Sequence, residues 1–164
     1  MVRPLIFLVL WPILSWPAGA LAEIVGSAEV LDGDTLVVAG QRVRLWGIDA
    51  PEVFQRCRRN DETWRCGMWS TTALVYLVHR KTVRCEPRPA RVRRGVVAVC
   101  FVEGVDLSAE MVRLGWALAY RRHGDDYADE EAEARAARAG LWAGKFLPPW
   151  EWRRRRREGV PTNP

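Results

Sequence analysis

Two tight turns near the start of the folded part constrain this chain most strongly. The first is Asp32-Gly33-Asp34, and Asp-Gly is a strong signal for a two-residue hairpin turn. The second turn is Ala39-Gly40. These turns separate three short stretches with the composition of strands, over residues 27–31, 35–39 and 41–46. In the third stretch arginines alternate with apolar residues, as in a strand with one buried face. We therefore predict a three-stranded meander.

The rest of the chain predicts two more strands and about three helices. Apolar spacing, capping residues and turn glycines mark these elements. They are a helix over 67–80, strands over 81–88 and 96–102, a helix from Asp106 or Ser108 to about Leu114, an extended stretch over 116–120 and a helix over 125–139. Five strands with a helix between the third and the fourth are compatible with a five-stranded Greek-key β-barrel of the OB type. We predict this α+β fold.

The first 22 residues have the three parts of a secretory signal peptide. Arg3 gives a basic start, residues 5–14 are apolar, and Ala20-Leu21-Ala22 places small residues at a cleavage site. We predict cleavage after Ala22 and a secreted or periplasmic mature chain. A membrane anchor is the alternative, but prolines interrupt an apolar run that is too short to span a bilayer. We expect a monomer without stable membrane insertion.

The basic charge is nearly all arginine, and the surplus lies at the C-terminus. The chain has 25 Lys+Arg and a formal charge of +5. Residues 23–152 have no net charge, whereas residues 153–164 carry +4 because of the run Arg153–Arg157. Like charges in a run repel one another, so we predict a domain over 23–152 and a disordered tail over 153–164. The tail either contacts phosphate non-specifically or has no task.

Four cysteines, Cys57, Cys66, Cys85 and Cys100, remain in the mature chain. In an oxidising compartment an even number of cysteines indicates disulfides. The first two flank a short polar loop, and the other two each lie in a predicted strand. We therefore favour Cys57–Cys66 and Cys85–Cys100 among three possible pairings. A metal site is the alternative, although no pair has the C-x-x-C spacing and the two histidines lie far away.

Three carboxylates and one arginine stand close to predicted strand ends. Asp34, Asp49 and Glu52 are hard oxygen ligands of the kind that suits Ca²⁺, and Arg44 beside a metal could clamp a phosphate. A regular strand would point Arg44 and Asp49 to opposite faces, because their separation is odd. Both can serve one site if the chain bends, and we predict that bend at Gly47. Taken singly, each residue could also belong to an ordinary surface turn or strand.

The joint pattern resembles the staphylococcal nuclease (thermonuclease) family. That family carries Asp-Gly-Asp-Thr, then an arginine, then Asp-x-Pro-Glu. Here these motifs are Asp32-Gly33-Asp34-Thr35, Arg44 and Asp49-Ala50-Pro51-Glu52. The resemblance continues to about residue 150 and so covers nearly the whole mature chain. The positions of the cysteines resemble those in the family's exported bacterial branch.

The resemblance implies a Ca²⁺-dependent nuclease that cleaves phosphodiester bonds of DNA and RNA and leaves 3′-phosphates. Asp34, Asp49 and the backbone carbonyl of Ala50 would be the Ca²⁺ ligands. Glu52 would be the general base or would position the attacking water. Arg44 would bind the scissile phosphate and stabilise its developing charge.

One departure from the family pattern bears on activity. The family has Asp-x-Tyr-Gly-Arg before the strand at 96–102, and its arginine is a second catalytic residue. Gly95 occupies that arginine position here. Arg94 can substitute if the register slips by one residue, and Arg93 is a second candidate. The family tyrosine is also missing, which leaves Tyr120 as an aromatic contact for nucleic acid or as a core residue.

These observations favour an exported Ca²⁺-dependent nuclease. Because of Gly95, the alternative is a catalytically weak or inactive OB module that binds nucleic acid with a strong dependence on salt. A third hypothesis is an envelope interaction module whose arginine tail docks on anionic lipid.

Overall fold

A computed structural model describes residues 22–90, 94–122 and 124–162 of the 164-residue chain. Its centre is a closed five-stranded barrel, which confirms the predicted α+β fold of the OB type. The predicted signal peptide lies almost entirely outside the described residues. In chain order the strands are β1 (Ile24–Asp32), β2 (Thr35–Val38), β3 (Gln41–Leu45), β4 (Ile48–Asp49), β5 (Cys57–Arg59), β6 (Glu62–Trp64), β7 (Thr82–Arg88), β8 (Val96–Val102), β9 (Val105–Asp106) and β10 (Leu118–Ala119).

The barrel consists of β1, β2, β3, β7 and β8, the five strands that the sequence predicts. β1 pairs antiparallel with both β2 and β7, and β7 pairs antiparallel with β8. β3 closes the barrel by running parallel to β8, with Leu45 beside Ala98. The predicted alternation on β3 is also present, because Val43 and Leu45 are buried while Arg42 is exposed.

The described residues form four α-helices and one 3₁₀-helix, one α-helix more than predicted. These are α1 (Cys66–Val78), α2 (Leu107–Arg113), α3 (Ala128–Ala136), the 3₁₀-helix (Gly140–Ala143) and α4 (Pro149–Arg157). Asp106 caps α2, since its carboxylate accepts hydrogen bonds from the backbone N–H groups of Ser108 and Ala109. None of the described helices is long and apolar enough to cross a membrane.

Helix α3 begins three residues later than predicted, and Tyr127 explains the difference. Its hydroxyl donates a hydrogen bond to Asp106 Oδ2 at 2.9 Å, and its ring packs closely against Gly47. Burial and the nearby Asp106 carboxylate raise the pKa of the Tyr127 hydroxyl. The residues just before α3 therefore pack onto the end of the barrel instead of continuing the helix.

Two disulfides hold two different parts of the molecule, and both predicted pairings are confirmed. Cys85–Cys100 joins β7 to β8 inside the main core, where both cysteines are fully buried. Cys57–Cys66 closes the β5–β6 hairpin and belongs to a second, smaller core with Leu141. That hairpin pairs with the chain before α4 through reciprocal backbone hydrogen bonds between Arg58 and Lys145. We call residues 57–66 and 140–157 together the C-terminal clamp.

The run Arg153–Arg157, predicted as a disordered tail, forms the C-terminal half of α4 instead. Three local features outweigh the repulsion between its charges. Pro149 occupies the first turn, where its missing N–H is no loss. Trp152 is buried. Glu151 accepts hydrogen bonds from Arg154 and Arg155 one turn later, and these bonds lower the pKa of its carboxyl to about 2.

Candidate active site

The predicted bend at Gly47 brings Arg44 and Asp49 into direct contact. Residues 46–47 form a turn between β3 and β4, and Gly47 has φ +72°. A Cβ atom at this position would also lie 2.6 Å from the Tyr127 ring. Glycine is therefore required both by the backbone angle and by the close packing. Across the bend Arg44 Nη2 donates a hydrogen bond to Asp49 Oδ1 at 2.9 Å.

Asp34 meets the same arginine from the hairpin turn between β1 and β2. Its Oδ2 accepts hydrogen bonds from Arg44 Nη2 at 2.9 Å and from the Ala50 backbone N–H at 3.1 Å. Its Oδ1 accepts a hydrogen bond from the Thr35 hydroxyl at 2.8 Å. Asp34, Arg44, Asp49 and Ala50, which the sequence predicts to act together, thus lie at one end of the barrel.

The carboxyl of Asp34 is held in an environment that favours its protonated form. Burial is the main cause, and the neighbouring carboxylates of Asp32 and Asp49 act in the same direction. Arg44 opposes them, but the pKa of Asp34 is still raised to about 7. Full ionisation of both buried carboxylates is therefore unfavourable at this end of the barrel.

The donor set of Asp34 and Asp49 fits a hard divalent cation. Among residues 22–90, 94–122 and 124–162, no three His, Cys, Asp or Glu side chains converge as a metal cluster. Carbonyl and water oxygens would therefore have to complete the coordination, which Ca²⁺ accepts in irregular geometry. Such a cation would stabilise the ionised form of Asp34, which burial disfavours. Ala50 could contribute its carbonyl, as the sequence predicts.

Glu52 follows Asp49 and Ala50 in the sequence, in a turn that hydrogen bonds hold to α1 and to the C-terminal clamp. Its carbonyl accepts a hydrogen bond from the Gln55 N–H at 2.7 Å, and the Gln55 carbonyl accepts one from Gly67 at the start of α1. The buried Gln55 amide donates to the Leu147 carbonyl at 2.7 Å, which ties the turn to the C-terminal clamp. The Glu52 side chain remains 37% exposed, so water can reach it.

A second arginine, Arg153 of α4, reaches the site, and the sequence prediction missed it. Its Nη1 donates hydrogen bonds to Asp49 Oδ1 and Glu52 Oε1, each at 2.9 Å, and its Nη2 donates to Asp49 Oδ2 at 2.6 Å. Burial alone would lower the pKa of this guanidinium, but the bonds to Asp49 and Glu52 outweigh it and raise the pKa. Three local features of the sequence indicate this helix: Pro149 in its first turn, its two tryptophans, and the spacing between Glu151 and the arginines.

No hydrogen bond or ion pair joins Arg94 to the site residues in the described part of the chain. Gly95 has φ +84°, and a Cβ atom there would lie 2.2 Å from the Arg42 carbonyl oxygen, so β8 approaches β3 closely at this point. Arg94 is exposed and makes no hydrogen bond or ion pair within the described part of the chain. Arg93 lies outside the described residues. A catalytic role for Arg94 and a nucleic-acid contact for Arg93 stay predictions.

Tyr120 lies beside the site on the C-terminal side of β10. Its backbone N–H donates to the Gly47 carbonyl at 2.8 Å. Its ring is half-buried and faces the Trp150 ring at a centroid distance of 6.0 Å. The tyrosine is therefore placed between the bend at Gly47 and helix α4, where its predicted contact with nucleic acid can be tested.

Comparison with known proteins places the chain among nucleases. Residues 42–144 match the family model described as staphylococcal nuclease homologue. An uncharacterized endonuclease of Escherichia coli O157:H7 is 37% identical over 153 residues, which span 88% of this chain and 94% of the relative. The succinoglycan biosynthesis protein ExoI of Rhizobium meliloti is 36% identical over 79% of this chain and 70% of its own length. A probable staphylococcal-like nuclease of rice, CAN1, is 31% identical over 78% of this chain and 37% of its own.

Proposed function

This chain belongs to the staphylococcal nuclease family, and we propose that it is an exported, Ca²⁺-dependent nuclease that hydrolyses phosphodiester bonds in DNA and RNA. Membership of the family makes it a nuclease. The dependence on Ca²⁺, the roles of individual residues, the 3′-phosphate products, the monomeric state and the export after cleavage at Ala22 belong to the proposal.

The contact between Arg44 and two buried carboxylates is the observation that carries the proposal. Asp34 and Asp49 come from different elements, yet both accept from the same nitrogen of Arg44 at 2.9 Å. Such a cluster costs stability, because burial raises the pKa of the Asp34 carboxyl. A cation bound by the two carboxylates would relieve that cost and would release Arg44 to bind phosphate.

Each residue then has one chemical task. Arg44 binds a non-bridging oxygen of the scissile phosphate and stabilises the charge that develops there. Glu52 takes a proton from the attacking water. The water oxygen bonds to phosphorus while the bond from phosphorus to the 5′ oxygen breaks, and solvent protonates the leaving oxygen. A bound Ca²⁺ would supply charge neutralisation and polarise the phosphate.

Activity of the purified mature chain tests the proposal. We expect degradation of both labelled DNA and labelled RNA with Ca²⁺, complete loss with a chelator and recovery when Ca²⁺ is added back. The products should carry 3′-phosphates, which block extension by a polymerase until a phosphatase removes them. Folded protein that leaves both substrates intact at high concentration would overturn the proposal.

An inactive module that binds nucleic acid is the second candidate, and Gly95 is the observation that favours it. The closeness of Gly95 to the Arg42 carbonyl leaves no room for any side chain there. This candidate predicts binding that weakens steeply with salt and no cleavage. The same assay separates the two candidates, because binding without products supports the module.

A further inference from the structure

We propose that Arg153 is the second arginine that contacts the scissile phosphate, supplied by helix α4 in place of the side chain that Gly95 lacks. This inference rests on the proposed nuclease function. It assigns a catalytic role to a residue that lies far along the chain from the family motifs.

The position of the guanidinium is the first argument. Arg153 bridges Asp49, a proposed cation ligand, and Glu52, the proposed base, through hydrogen bonds of 2.6–2.9 Å. The reacting phosphate has to lie between the cation and the water that the base activates. A guanidinium already at that place can exchange its carboxylate partners for phosphate oxygens, which it binds with the same bidentate geometry.

The charge of the site is the second argument. Asp34, Asp49 and Glu52, when ionised, carry three negative charges, and Arg44 and Arg153 return two positive ones. A divalent cation would give the group a net charge of +1, which matches one phosphodiester. Without Arg153 the loaded site would be neutral and would attract the phosphate less.

The anchoring of α4 is the third argument. The buried Trp152 holds the helix, and the Gln55 amide ties Leu147, just before it, to the turn that carries Glu52. The next two arginines, Arg154 and Arg155, pair with Glu151 instead of the site. Of these three arginines, only Arg153 is therefore positioned by the helix to contact the site.

Arg153→Ala, with Arg154→Ala as its matched control, tests the role. Both variants remove one arginine from the same helix, but the hydrogen bonds of the Arg154 side chain go to Glu151 and not to the site. We expect kcat to fall by about 10²–10³ in Arg153→Ala, as for loss of one charge-stabilising donor, and to stay within about threefold in Arg154→Ala. Added guanidinium ion should partly restore Arg153→Ala and leave Arg154→Ala unchanged, which loss of folding would not produce.

The outcomes separate this role from the proposed function. If the wild-type chain does not cleave, the nuclease proposal fails and this one with it. If the wild-type chain cleaves and Arg153→Ala cleaves equally well, the role of Arg153 alone is overturned. A rise in activity on removal of Arg153 would also overturn it, because it would make the contact to Asp49 an inhibitory one.

A separate observation, a groove of about 840 Å³ between β10, α3 and the C-terminal clamp, carries a second inference. Its walls contain four aromatic and four basic side chains, beside the acidic Glu131 and several small or aliphatic residues. They include Tyr120, Trp142, Phe146, Trp150, Arg122 and Lys145. We infer that this groove binds the unpaired bases and backbone of a single-stranded nucleic acid next to the scissile phosphate.

The charges and rings of this groove fit that ligand. Arg122 and Lys145 form no ion pair with any described residue, so both can contact phosphates. Trp150 is 39% exposed, which leaves its ring available for stacking. Trp150 and Arg153 are three residues apart on α4, a spacing that puts them on one face of the helix. The groove and the site therefore both use residues of helix α4.

Oligonucleotide binding in the presence of a chelator tests the groove without cleavage. We expect Trp150→Ala to weaken binding of a single strand about tenfold, as for loss of one stacked base. Trp69→Ala is the control, because Trp69 is also an exposed tryptophan but lies on α1, outside the groove. A blunt duplex should bind both variants alike. Unchanged binding of the single strand by Trp150→Ala, or equal losses for strand and duplex, would overturn the inference.

Discussion

The barrel and the C-terminal clamp each bring one arginine to Asp49, but they do so by different means. Arg44 arrives along β3, five residues from its partner and across one bend. Arg153 arrives from α4, 104 residues away in sequence. The first contact follows from strand geometry and one glycine. The second depends on a separate small core, a disulfide-closed hairpin and a helix that all have to assemble around it.

Because of this difference, we expect substitutions in the barrel and in the C-terminal clamp to have different effects on activity. Damage to the barrel residues should remove the chemistry. Damage to the clamp should remove one phosphate contact and leave the carboxylates in place.

Arg44→Ala should have the largest effect. It removes the guanidinium that both Asp34 and Asp49 hold at 2.9 Å, which leaves Asp34 without an arginine and Asp49 with Arg153 alone. We expect kcat to fall by about 10³ or more, because loss of one preorganised donor costs about 10²–10³ and the charge balance is lost as well. Single-turnover cleavage of labelled DNA measures this, and a loss smaller than that of Arg153→Ala would contradict the ranking.

Truncation of the clamp should have the next largest effect. A chain that ends at Pro148 lacks α4, and we expect it to lose about 10²–10³ in kcat, as for Arg153→Ala. A chain that ends at Glu158 keeps α4 and should cleave like the full chain. If both truncated chains keep full activity while circular dichroism shows them folded, α4 has no part in the site.

Removal of either disulfide should lower stability, but only removal of the one in the C-terminal clamp should also lower activity. Replacing Cys85 and Cys100 by alanine removes a cross-link of 15 residues from the barrel core, and we expect a loss of about 3 kcal/mol in the free energy of unfolding with little change in kcat. Replacing Cys57 and Cys66 removes a cross-link of 9 residues at the clamp. We expect a comparable loss of stability and, in addition, a lower kcat, since the hairpin holds the segment before α4.

Denaturant unfolding and kcat, measured on the same samples, test that contrast. Equal effects of the two pairs on kcat would show that the clamp does not position Arg153 separately from the barrel.

The smallest expected effect is the change of stability with pH, and it concerns a residue of the barrel alone. The pKa of Asp34 is raised from 3.8 to about 7 in the folded chain, so the folded state holds a proton that the unfolded state releases. The contribution of Asp34 to the free energy of unfolding therefore falls as the pH rises from about 4 to about 7.

Ca²⁺ should stabilise the protein more at pH 8 than at pH 6, since at pH 8 it no longer competes with the proton on Asp34.

Thermal melts of the wild type and Asp34→Asn, with and without Ca²⁺, measure this. Asp34→Asn should flatten the dependence between pH 4 and pH 7. If the melting temperature of the wild type depends on pH as weakly as that of Asp34→Asn, the pKa of Asp34 is not raised by burial and the prediction fails.

Local patterns were enough to predict the barrel, and long-range packing explains what was missed. Turn glycines, the alternation on β3 and the motif around Asp34 and Asp49 all act over a few residues, so the sequence predicts the meander and the bend at Gly47. The clamp forms through the Gln55–Leu147 hydrogen bond and the pairing of Arg58 with Lys145, about 90 residues apart. No local pattern reports such pairings, and the like charges of Arg153–Arg157 pointed towards disorder.

The central claim is that Asp34, Arg44, Asp49 and Glu52 form a hydrolytic site at one end of the barrel. Single-turnover cleavage by Glu52→Gln, beside the wild type at saturating Ca²⁺, tests it most directly. The amide keeps the size of Glu52 and can accept a hydrogen bond from Arg153, but it cannot take a proton from water. We predict a rate lower by about 10²–10⁴ with unchanged folding and substrate binding. Cleavage by Glu52→Gln at the wild-type rate would contradict the account.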